Sequence, residues 1–112
     1  MRHAVAKRNA QTGEWKAVKS LPGVTYLTLN RDDEAHGVTR LTRFSKGYEV
    51  EKSLHDGTVE LFVLEGQFQV GPITYGPGDY FCVPGGVVHG PERALTDVTI
   101  LVVAHGPLTP GP

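Results

Sequence analysis

A single cysteine, Cys82, stands in the 112 residues, which excludes an intramolecular disulfide and leaves stability to the hydrophobic core. The longest uninterrupted apolar runs, such as Ile100 to Ala104, fall far short of the roughly 20 residues that span a bilayer. A soluble protein with no membrane partner is the expectation. Charge of one sign is also missing: eleven basic and twelve acidic side chains leave a formal net charge of -1. No field is built to attract polyphosphate, and nucleic acid is not an expected partner. The N-terminal Met1-Arg2-His3-Ala4-Val5-Ala6-Lys7-Arg8 lacks the apolar stretch of a signal peptide, so the expected address is cytoplasmic. No window sustains a 3.6-residue apolar period over helical length.

Fourteen Gly and eight Pro punctuate short apolar-rich runs instead, the pattern of an all-β chain. The length is that of one domain, spanning 1–112 with a core over about 24–104. Strands are predicted at Trp15 to Val18, Val24 to Leu29, Val38 to Phe44, Val59 to Leu64, Gln67 to Tyr75, Tyr80 to Val83 and Val98 to Ala104. A shorter one is expected at Tyr48 to Glu51. Turns are read at Pro22-Gly23, Glu65-Gly66, Gly76 to Asp79 and Pro84 to Gly86, where Gly supplies positive φ and Pro presets the bend. Short strands at this spacing suit a sandwich or barrel. The first ten residues and the tail from Pro107 to Pro112 are expected to fray, although an N-terminal strand could dock on a partner subunit.

Two dense motifs lie about thirty residues apart. The first runs Gly47, five residues, Ser53-Leu54-His55, four residues, Glu60, five residues, Gly66. The second runs Gly78, five residues, Pro84-Gly85-Gly86, two residues, His89. Together they resemble the two motifs of the cupin superfamily: Gly, five residues, His-x-His, a Glu three or four residues on and a later Gly, then Gly, five residues, Pro-x-Gly, two residues, His. Two departures stand out: Ser53 replaces the first His of His-x-His, and Arg93 stands where the family has an Asn. Over roughly residues 36 to 104 the chain is most similar to the branch with the cupin domains of zinc-binding anti-sigma factors and the dihydroxyacetophenone dioxygenases. The resemblance implies a jelly-roll barrel of two antiparallel sheets.

It also implies one divalent metal, Fe(II), Zn(II), Mn(II) or Ni(II), held by His55, Glu60 and His89, with water between the ion and Ser53. Two imidazoles and a carboxylate suit such ions. Strand alternation puts residue 53 and His55 on one face, and Glu60 on one face with Phe62 and Leu64. Glu60 could be a ligand or a catalytic base. Phe62, Ser53 and Arg43 are the candidate substrate contacts. Arg40 and Arg43 lie on opposite faces of their strand, and parity alone does not say which one enters the barrel.

The plainer readings stand beside these. Cys82 suits core packing, and His3, His36 and His105 suit surface roles, with His36 near a cavity mouth. The implied function is a metal-dependent enzyme acting on an oxygen-rich small molecule such as a diketone or hydroxyketone. The alternatives are a binding module with a regulatory role and a metal-free barrel, which Ser53 keeps open. The family also implies a homodimer, formed at exposed strand edges.

Overall fold

The computed structural model describes residues 5–34 and 36–108; His3 and the ends of both expected frayed termini lie outside them. Ten strands form among the described residues: β1 (Lys16–Ala17), β2 (Val24–Asp32), β3 (Gly37–Phe44), β4 (Glu49–Val50), β5 (Val59–Glu65), β6 (Phe68–Val70), β7 (Ile73–Tyr75), β8 (Tyr80–Val83), β9 (Glu92–Ala94) and β10 (Val98–Ala104). No helix occurs among the described residues, and thus none long and apolar enough to cross a membrane.

All pairings are antiparallel. A six-stranded sheet runs β1-β2-β3-β10-β5-β8 and a four-stranded sheet runs β4-β9-β6-β7. β10 lies at the centre of the larger sheet, and its sequence shows why. Val98, Ile100, Val102 and Ala104 are buried while Thr99, Leu101 and Val103 are half-buried on the other face. Period-two alternation of β-branched residues is what a strand with one core face requires.

The core joins both sheets, with Phe68, Ile100, Val63 and Val98 fully buried. Each such side chain contributes about 1.5–3 kcal/mol relative to exposure. Aromatic contacts cross between the layers: Phe44 on β3 lies 4.9 Å from Phe68 on β6, and Tyr75 on β7 stacks on Phe81 of β8 at 4.1 Å.

Three expectations change, two about strands and one about burial. The run from Gln67 to Tyr75 is two strands, β6 and β7, because Gly71 adopts φ 58 and reverses the chain. β9 was not expected: Pro91-Glu92-Arg93-Ala94 has no β-branched residue, and the segment is extended because β4 and β6 flank it. Cys82, expected in the core, is exposed. It alternates with buried Phe81 and Val83 on β8, so the neighbours that suggested burial place it on the outer face.

Candidate functional site

Residues of both sheets line a cavity of about 110 Å³. Its walls are largely apolar, with Val24, Leu61, Phe68 and Val102 among them, and its polar lining includes Ser53, His55, His89, Glu92, Arg40 and Tyr26.

Backbone contacts between the two motif segments assemble this polar end. Ser53 and His89 form an isolated antiparallel bridge, with Ser53 N donating to His89 O at 2.8 Å and His89 N to Ser53 O at 3.0 Å. The Gly86 amide donates to the His55 carbonyl at 2.9 Å. Close approach at Gly85 is part of the same join, since a Cβ there would lie 2.4 Å from the Asp56 carbonyl oxygen. The Pro-Gly-Gly turn therefore seats one histidine segment against the other, and the His55 and His89 rings stand 5.6 Å apart, centroid to centroid.

Within the site, His89 Nε2–H donates to Glu92 Oε2 at 2.7 Å, with both side chains 12% exposed. The Glu92 carboxylate, helped by the Val87 backbone carbonyl, holds the His89 imidazole above its ordinary pKa. His55 shifts the other way, because burial disfavours its charged form and His89 stands beside it. The Nδ1 atoms of both rings are buried without a partner. Tyr48, whose phenol is raised by burial and by Glu92, packs in the same wall.

Of the residues expected at the site, the structure brings Ser53, His55 and His89 together and places Glu60, Phe62 and Arg43 elsewhere. Glu60 and Phe62 do share a face, but it is the outer one. Val59, Leu61 and Val63 take the inner positions of β5, with Val59 and Leu61 lining the cavity. Both faces of this strand are apolar, so composition did not mark the inner one. The Glu60 carboxylate accepts from Tyr80 Oη at 2.8 Å and pairs with His105 Nε2. Those two partners lower its pKa, His105 first. The inward role expected of Glu60 is thus corrected, and Val59 holds the neighbouring inner position.

Arg43 likewise stacks on Trp15 outside the barrel, with Cζ 3.9 Å from the ring centroid. Arg40 is the member of the pair that enters the cavity. The acid that sequence reasoning missed is Glu92, three residues after His89. Its signal was available in the i, i+3 spacing, but a Pro-flanked segment without strand character gave no reason to place it inside.

The expected metal can be tested on this donor set. Ser53 offers a neutral hydroxyl, Val59 nothing, and the Glu60 carboxylate lies outside. Glu92, the carboxylate that is present, is joined directly to His89. Among the described residues no group of three or more His, Cys, Asp or Glu side chains is placed to hold a metal ion. The side chains as arranged do not fit a resident divalent metal.

The sequence matches the ChrR cupin-like domain over residues 4–109. The chain belongs to this cupin family. No curated protein matches it. Solved structures similar to this cupin include an acetylacetone dioxygenase from Acinetobacter johnsonii, with TM-score 0.78 and 16% identity over 95% of this chain and 76% of the other. The polyketide cyclase RemF from Streptomyces resistomycificus gives TM-score 0.75 and 19% identity over 90% and 79%. The complex of Rhodobacter sphaeroides SigE with the anti-sigma ChrR gives 0.72 and 22% over 87% of the cupin and 52% of that chain. At these identities the likeness shows the fold.

Proposed function

We propose that this cupin binds a small oxygen-bearing molecule in its barrel through His55, Ser53 and the His89–Glu92 pair, without a resident metal. The observation that carries this reading is the pair of buried, unpartnered imidazole nitrogens beside the 2.7 Å His89–Glu92 contact in a mostly apolar cavity. Buried polar atoms without partners cost free energy that a ligand oxygen or hydroxyl would recover. Small-molecule sites commonly combine apolar walls with a few convergent polar groups. The metal-dependent chemistry that the family resemblance implies would place a carboxylate ligand on β5, where Val59 and Leu61 face inward, and the carboxylate that does line the cavity, Glu92, is held by His89.

Glu92 holds the His89 ring by one nitrogen and stabilises its protonated form, while the buried Nδ1 of His55 is without a protein partner and can meet a ligand oxygen. His55, kept neutral by burial, can accept or donate. Turnover is a second reading, favoured by the same pair: a histidine oriented by a carboxylate can move a proton at a carbon beside a carbonyl. Deuterium exchange into bound 4-oxopentanoate, followed by NMR and absent in His89→Gln, would support it.

The first experiment is elemental analysis of protein purified without a chelating tag, beside His55→Ala and His89→Ala. The expected result is metal far below one equivalent in all three. Near-stoichiometric metal in the parent, lost in both variants, would overturn the metal-free reading.

A further inference from the structure

We propose that the ligand is a short-chain carboxylate bearing a second oxygen, an oxo or hydroxy acid, whose carboxylate is anchored by Arg40 while its second oxygen meets the His55 and His89 end. The inference rests on the ligand-binding reading above and adds the charge of the ligand.

Arg40 is placed by β3, where it pairs across from Val102 on β10 and Thr28 on β2. It shares the inner face with Val38, Thr42 and Phe44 and lines the same cavity as the two histidines. No carboxylate among the described residues forms an ion pair with it. Glu92, the one acid lining the cavity, is engaged by His89. Arg40 Nε is buried without a partner.

The guanidinium is not idle structurally: its Cζ sits 4.1 Å from the centroid of the Tyr26 ring. That contact uses the flat face of the group and leaves its N–H edge, which lies in the plane, for a ligand. A planar fork held by its face is suited to bidentate binding of a carboxylate. Partial desolvation of Arg40 lowers its pKa, a cost to the half-buried cation that is offset when an anion binds.

Charge balance leads to the same ligand class. The one acid among the described residues of the lining, Glu92, is taken up by His89, and Arg40 is the one guanidinium there. At about 110 Å³ the cavity is well below the roughly 300–1,000 Å³ of sites for drug-sized ligands, which favours a short chain whose hydrocarbon part meets Leu61, Phe68 and Val102.

The test titrates the intact protein with 2-oxobutanoate, 3-hydroxybutanoate and 4-oxopentanoate, and with the neutral pentane-2,4-dione and 4-hydroxybutan-2-one, by calorimetry. Wild type, Arg40→Gln and Arg40→Lys are compared, each checked for folding by circular dichroism. At least one acid is expected to bind wild type more tightly than either neutral compound. Affinity for that acid should fall roughly ten- to hundredfold in Arg40→Gln and less in Arg40→Lys, which keeps the charge. Neutral compounds binding while all acids fail would overturn the carboxylate inference and leave the ligand-binding reading standing. So would acids that bind Arg40→Gln as well as wild type. If neither class binds wild type, both readings fall. Should Arg40→Gln not fold, the comparison of acids with neutral compounds on wild type and Arg40→Lys decides the matter.

Discussion

Two histidines of one cavity are driven in opposite directions by their neighbours. His89, hydrogen-bonded to Glu92, is raised above the ordinary histidine value, and His55, desolvated beside it, is lowered. NMR titration of the imidazole signals should therefore find His89 titrating above His55, and Glu92→Gln should bring His89 down. For stability the sign follows from the direction of the shift. The His89 contribution is fully present below the unfolded histidine pKa of about 6.5 and is lost as pH rises through the higher folded value. On the outer face, Tyr80 is pushed up to about 12, chiefly by its hydrogen bond to Glu60. Glu60→Ala should lower that phenol pKa in an absorbance titration while leaving ligand affinity unchanged. A loss of ligand affinity in Glu60→Ala would restore Glu60 to the site and contradict its placement.

Among the elements, β5 and the Pro-Gly-Gly turn set what stands around the two histidines. β5 presents Val59 inward beside the segment that carries Ser53 and His55, so two inner positions lack donors. The double variant Ser53→His and Val59→Glu supplies an imidazole and a carboxylate to these positions. It should bind zinc more tightly than wild type, read as a larger rise in thermal midpoint on adding zinc to the variant. An equal rise in wild type would show that a site exists without the new ligands. The turn is sensitive for a steric reason: Gly85→Ala drives a methyl group against the Asp56 carbonyl. A cost of about 1–3 kcal/mol is expected, read as a lower denaturant midpoint, with the His55 and His89 signals displaced.

At the scale of the whole molecule, β10 joins β3 and β5, and its Ile100 is fully buried. Ile100→Ala should cost about 2–5 kcal/mol, measurable by chemical denaturation, because the cavity it leaves lies where both sheets meet. Much of this architecture is legible in the sequence. Alternation in Val98 to Ala104 marks a half-buried strand, and the Gly and Pro positions mark turns. The two motifs at their spacing give the cupin resemblance and single out Ser53, His55 and His89, which do meet. Three things are not legible. The inner face of β5 is one, since Val59, Leu61 and Val63 alternate with Phe62 and Leu64 and both sets are apolar; one residue of parity exchanges the faces. Glu92 is another, because it sits in a strand stabilised by its neighbours more than by its own residues. The choice of Arg40 over Arg43 is the third. Local sequence thus determined most of the strands, the turns and the histidines, because propensity and spacing act over a few residues. Only tertiary structure decided which charges enter the barrel, because that depends on strand register and on which sheet faces which.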